Sequence, residues 1–96
     1  MNIQKILKKK REEILKICGK YGAYNVRIFG SVARGEADEL SDIDILVEFE
    51  PGRTLFDHAG LILELEKVLG CKVDVVNQKG LKPRIKERVL REAIPL

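Results

Sequence analysis

The sequence is poor in the residues that several kinds of chemistry require. Aromatic residues make up 5% of the 96, and tryptophan is missing. A platform for stacking single-stranded bases needs several aromatic faces, so the composition argues against that mode of binding. There is one histidine, His58, and there are two cysteines, Cys18 and Cys71, without Cys-x-x-Cys spacing. No His-rich or Cys-rich cluster is present to hold zinc. Two cysteines permit a disulfide by count, but nothing signals secretion, so two free thiols in a reducing compartment are expected. No apolar run approaches the ~20 residues that span a membrane. The N-terminus carries charges where a secretion signal needs an apolar stretch. A cytoplasmic protein is expected.

Charge of one sign is also lacking. Eighteen Lys and Arg face fifteen Asp and Glu, for a net charge of +3, so no global field calls for nucleic acid. The cations cluster near the two ends, at Lys5 to Arg11 and at Lys82 to Arg91, while acidic residues gather in the middle. The apolar content of 45% is that of an ordinary globular chain. Ninety-six residues suit a single domain, residues 1–96, with a modest core.

The first segment reads as one helix. Ile3, Leu7, Ile14, Ile17 and Tyr21 recur at steps of three, four or seven, and Lys10 interrupts the stripe. Gly19 and Gly22 end it. Tyr24 to Phe29 is a short β-branched and aromatic run closed by Gly30. Glu36 to Ser41 is polar and contains a turn. From Ile43 to Phe49 the sequence alternates: Ile43, Ile45, Val47 and Phe49 point one way, and Asp42, Asp44, Leu46 and Glu48 the other. A helix over 55–69 follows, with Leu55, Ala59, Ile62, Leu65 and Leu69 as its buried stripe and Gly70 at its end. Lys72 to Asn77 is a further strand. Pro83 suits the first turn of a last helix, with Ile85, Val89 and Ala93 at helical spacing. The fold class is α/β (α+β), a small mixed sheet of three or slightly more strands. Helices cover one face and aspartates lie on the other.

Aspartate is depleted in strands, yet Asp42, Asp44 and Asp74 sit at or within two strand-like runs. The period of two puts Asp42 and Asp44 on one face. If the strand of Asp74 lies alongside, three carboxylates converge and repel one another. A divalent cation removes that repulsion, and an all-oxygen donor set suits Mg²⁺. Gly30-Ser31 precedes them at a strand end, where glycine allows close backbone approach and Ser31 offers an N–H and a hydroxyl to a phosphate. Arg34 adds a permanent planar cation. Taken singly, each piece has an ordinary structural reading; the ordered set points to phosphate chemistry.

Gly30-Ser31-Val32-Ala33-Arg34-Gly35-Glu36, followed by Ser41-Asp42-Ile43-Asp44-Ile45-Leu46-Val47-Glu48, closely resembles the MNT-type minimal nucleotidyltransferases of the polymerase-beta-like superfamily. That pattern is Gly-Ser, about ten residues, Asp-x-Asp on a strand, and a third Asp on a later strand. Ten residues separate Ser31 from Asp42 here, and Lys72-Val73-Asp74-Val75-Val76 is similar to the third-carboxylate strand. The resemblance spans roughly residues 22 to 78. It implies an enzyme in which Asp42, Asp44 and Asp74 are catalytic and hold two Mg²⁺ ions. Gly30 and Ser31, with Arg34, would bind the triphosphate of an NTP, most simply ATP. It further implies transfer of AMP to a tyrosine of a HEPN-domain toxin partner, the chain acting as a type VII-like antitoxin. The alternative is a non-catalytic antitoxin that masks its partner sterically. A nucleic-acid-directed activity is less favoured by charge and aromatic content.

Other residues are read as ordinary. His58 is expected to be a helix residue rather than a base, and Glu48 to meet solvent rather than serve as a fourth carboxylate. Lys82 and Arg84 form a solvated face, with contact to phosphate or partner as the alternative, and Cys71 is a small core residue.

Overall fold

The computed structural model describes residues 3–36 and 42–96. Ser41 and most of the polar stretch before it lie outside the described residues. In chain order the elements are α1 (Ile3–Lys9), α2 (Arg11–Lys20), β1 (Ala23–Phe29), α3 (Gly30–Ala33), β2 (Ile43–Phe49), α4 (Leu55–Leu69), β3 (Val73–Asn77), a 3-10 turn (Gln78–Gly80), α5 (Pro83–Glu92) and β4 (Ile94–Pro95). The sheet order is β3-β2-β1-β4. β2 and β3 are parallel, while β1 is antiparallel to both β2 and β4. The two-residue β4 was not foreseen, since Ile94-Pro95 is too short to show an alternation.

The first helix is two helices, broken at Lys10. The interruption in the apolar stripe is where the break falls. Lys10 crosses the interior edge and donates from Nζ to the carbonyl of Val68 at 2.6 Å, so its stem lies along apolar surface while its charge finds an oxygen. Thr54 and Asp57 close a reciprocal capping box on α4, and Gly70, at φ 69°, ends that helix in the left-handed region.

Leu7, Ile14 and Cys18 from α1 and α2, Leu61, Leu65 and Leu69 from α4, and Ile28, Ile43, Ile45, Val47, Val73 and Val75 from the strands form the core cluster. Each fully buried Ile or Leu contributes about 1.5–3 kcal/mol. The stripe assigned to α4 has the wrong phase in its first half: Leu55 is 84% exposed and Ala59 is exposed, while Leu61 is fully buried. Leucines on both faces gave the helical period two possible phases, and packing onto the sheet selects the second. On α5, Ile85 is exposed and only Val89 is buried.

The expectation that helices cover one face holds for α1, α2 and α4 and needs correction for α5. The step from β2 to its parallel neighbour β3 runs through α4. β4 runs the same way as β3, and the step from β3 to β4 goes back across β2 and β1 through α5. Both crossovers are right-handed only if α4 and α5 lie on opposite faces. Leu46 and Val89 agree with this: both are buried, yet both stand apart from the core cluster of the helical layer. The face read as carboxylate-bearing is therefore partly roofed. Among the described residues, no helix is long and apolar enough to cross a membrane.

Candidate active site

β1 delivers the site's first residue. Phe29 at its end is extended and pairs with Asp44 of β2. The chain then reverses at Gly30, which has φ 73°, and α3 begins. Its short turn is held by Arg34 N–H to the Gly30 carbonyl (3.1 Å) and Glu36 N–H to the Ser31 carbonyl (2.9 Å). Glycine at position 30 is required twice. A side chain disfavours the left-handed backbone, and a Cβ there would lie 2.3 Å from Oδ2 of Asp44. The Gly-Ser turn and the Asp-x-Asp strand are thus packed together, although ten residues separate Ser31 from Asp42 in sequence.

β3 delivers the third carboxylate. Asp44 and Asp74 are direct register partners in the parallel β2–β3 pair, so their side chains leave the sheet on the same face. Asp42 immediately precedes β2 and is exposed, Asp44 is half-buried, and Asp74 is exposed. The backbone bond from Ile43 N–H to the Lys72 carbonyl (3.0 Å) fixes the strand starts to each other. Burial pushes the Asp44 carboxyl above its ordinary range, the negative charges of Asp74 and then Asp42 push it further, and Arg34 opposes them. Asp44 is therefore harder to ionise than an ordinary carboxylate, through burial first and its acidic neighbours second.

Arg34 acts on Asp44 through its field. Its own hydrogen bonds go to Glu36 (Nε to Oε2, 3.0 Å) and Glu92 of α5 (3.2 Å). A phosphate would compete with these carboxylates for the guanidinium. Among the described residues, no three His, Cys, Asp or Glu side chains are placed as a group to hold a metal ion, so the expected gathering of Asp42, Asp44 and Asp74 is present as the Asp44–Asp74 pair with Asp42 nearby rather than as a formed metal site. Repulsion favours such an open arrangement, with Asp42 and Asp74 turned to solvent.

The remaining candidates fall elsewhere. His58 shares a hydrogen bond with the Val75 carbonyl (2.7 Å), and its ring lies 5.3 Å from that of Phe49. It belongs to α4, in the layer behind the sheet, away from the aspartates. Glu48 accepts from Asn25 Nδ2 at 2.8 Å. Cys18 and Cys71 are free thiols, the first buried and the second half-buried. Lys82 and Arg84 are exposed.

One residue of the carboxylate face was missed. Arg27 is the register partner of Leu46 and so shares its face. Its guanidinium bonds the side chain of Gln78 and the Asn25 carbonyl. Because β2 lies between β1 and β3, this bridge passes over β2 at Leu46. The signal was present in the sequence: Arg27 stands between Val26 and Ile28 and so falls on the face opposite to theirs.

Comparison with known proteins identifies the family and the fold. Residues 5–96 match the model of the family described as "Nucleotidyltransferase domain". A provisionally named protein adenylyltransferase of Methanocaldococcus jannaschii is 48% identical over 94 residues, covering 98% of this chain and 97% of its own. The protein adenylyltransferase MntA of Thermococcus cleftensis is 40% identical over 92 residues, covering 96% and 90%. A solved structure provisionally described as a minimal nucleotidyltransferase superposes with TM-score 0.90 at 58% identity, covering 100% of this chain and 97% of that one. A toxin–antitoxin crystal structure with AMP-PNP shares the fold, with TM-score 0.76 at 22% identity over 88% and 69% of the two chains. With a match over nearly the full length and relatives this similar, the chain belongs to the nucleotidyltransferase domain family and is a nucleotidyltransferase.

Proposed function

We propose that this chain transfers AMP from ATP, in the presence of Mg²⁺, to a tyrosine of a HEPN-type toxin, and so acts as the antitoxin of the pair. The observation that carries the reading is the placement of Asp44, paired in register with Asp74 and packed on Gly30. The relatives named as protein adenylyltransferases support the protein acceptor. The toxin–antitoxin neighbour supports both the adenine nucleotide and the toxin partner.

Asp42, Asp44 and Asp74 would hold Mg²⁺, and the all-oxygen set fits it. When bound, the ion supplies charge stabilisation at the phosphoryl oxygens and lowers the pKa of the attacking hydroxyl. Gly30 and Ser31 bind the triphosphate through backbone N–H groups and the Ser31 hydroxyl, and Arg34 neutralises phosphate charge. The tyrosine oxygen forms a bond to the α-phosphorus, the bond from that phosphorus to the bridging oxygen breaks, and pyrophosphate leaves. Asp74, exposed beside Asp44, takes the hydroxyl proton.

The test is the intact mass of a co-expressed HEPN partner with and without Mg-ATP. A gain of one AMP that vanishes in Asp44→Asn is the expected result. No mass gain sinks the reading, and a variant that still neutralises the toxin identifies steric masking instead.

A further inference from the structure

We propose that the flank of α5 formed by Lys82, Arg84, Ile85 and Arg88 docks an acidic protein segment carrying an apolar side chain, presented by the acceptor of AMP transfer; this rests on the protein-acceptor reading above. Residues 82–92 hold five cations (Lys82, Arg84, Lys86, Arg88 and Arg91) and two acids (Glu87 and Glu92), a net +3 that equals the net charge of the whole chain. The first twenty residues are also basic, with seven cations and two acids, so α5 is one of two basic segments and the one that the crossover sets on the carboxylate face.

Glu92 pairs with Arg34, and Glu87 lies 3.7 Å from Arg91. Among the described residues, Lys82, Arg84, Lys86 and Arg88 have no carboxylate partner, and all four are exposed. Lys82, Arg84, Ile85 and Arg88 line a depression of about 390 Å³. Ile85 within it is 42% exposed. An apolar side chain ringed by unpaired cations is a small docking site with a hydrophobic centre and a charged rim.

The position has a physical reason. The crossover places α5 on the face that bears Asp42, Asp44 and Asp74, and Glu92 ties its end to Arg34. That face repels an acidic acceptor, and a local excess of cations beside it offsets the repulsion and orients the encounter. A nucleic-acid backbone has no use for Ile85, and the chain lacks the aromatic faces that would hold its bases. The observations therefore favour protein.

The experiment uses the full chain and fluorescence anisotropy with three labelled probes: a short Glu-Leu alternating peptide, a Glu-Ser peptide of equal length, and oligouridylate. The Glu-Leu peptide is expected to bind most tightly, and added salt to weaken it. Arg84→Glu/Arg88→Glu weakens it about tenfold or more, and Ile85→Ser by several-fold, on the scale of lost rim charges and one lost apolar contact. Lys8→Glu/Lys9→Glu reverses the same charge on α1 and leaves binding unchanged. Equal loss in the α1 and α5 variants overturns the proposal, because a general field then explains it. So does tighter binding of oligouridylate, or indifference to Ile85→Ser. Circular dichroism checks that each exposed-site variant stays folded. Absence of AMP transfer by the parent chain, with α5-dependent peptide binding retained, overturns the function reading and leaves the surface standing.

Discussion

Gly30→Ala separates the two reasons for glycine at the site. Alanine at φ 73° costs about 1–2 kcal/mol in backbone strain. For a domain of this size, each kcal/mol lowers Tm by roughly 4–8 °C. The second effect is local. The new Cβ would sit 2.3 Å from Oδ2 of Asp44, and an ordinary contact begins at 3.4 Å, so the two must part by about 1.1 Å. Misplacing a catalytic group by about 1 Å costs on the order of 100-fold in rate. Gly35→Ala is the matched control: Gly35 has φ 74°, but the nearest atom to its Cβ position is Gln4 Nε2 at 4.0 Å. Both variants should melt earlier by similar amounts, while transfer of label from ATP to a co-expressed partner should fall only in Gly30→Ala. Calorimetry of Mg-ATP binding supplies a readout independent of the acceptor. Equal activity in the two variants would refute the claim that Gly30 exists to seat Asp44.

Four further measurements test other parts of the structure. Burial pushes the Cys18 thiol up to about 11, while Cys71 is raised by burial, then by Asp42 and Glu66; a raised pKa means less thiolate at a given pH, so a thiol reagent at pH 8 should label Cys71 first and Cys18 only on unfolding. Neutralising Asp42 lowers the Cys71 pKa, so Mg²⁺ should speed its labelling in the parent chain and not in Asp42→Asn; no response to Mg²⁺ would argue against metal at Asp42. Thr54→Ala removes the acceptor for Phe56 N–H and should cost about 1 kcal/mol with transfer unchanged in folded protein; denaturant melts test this. Leu61→Ala should cost about 2–5 kcal/mol, while Leu55→Ala, at an exposed position, should stay within about 0.5 kcal/mol; comparable losses would contradict the phase of α4 found here.

The placement of the candidate site residues was more legible than the packing around them. Asp42, Asp44 and Asp74 stood out because strands disfavour aspartate, and period two fixes the face of each one within its strand. The neighbour relation of β2 and β3 then brings Asp44 and Asp74 together, and a helix-length connection between them favours that parallel pairing. The phase of α4 was not legible, because Leu55, Leu61, Leu63 and Leu65 offer apolar side chains on more than one face. The break at Lys10 was visible only as an interruption, since a lone lysine can also snorkel from an unbroken helix. Leu46 was placed correctly by alternation on the aspartate face. Its burial there depends on elements far away in sequence, Arg27, Gln78 and α5, that no local pattern connects.

That burial follows from topology. β4, though only two residues long, sets the direction of the last crossover: placed beyond β1 and parallel to β3, it sends α5 back across the sheet, and handedness then selects the face opposite α4. Leu46 and Val89 are both buried outside the core cluster of the helical layer, as that placement of α5 requires. With α5 in place, Glu92 reaches Arg34, and Arg34 opposes the upward push on Asp44 that comes first from burial and then from Asp74 and Asp42. The C-terminal segment carries none of the candidate site residues, but through the Glu92–Arg34 pair it bears on the charge of the site from α5.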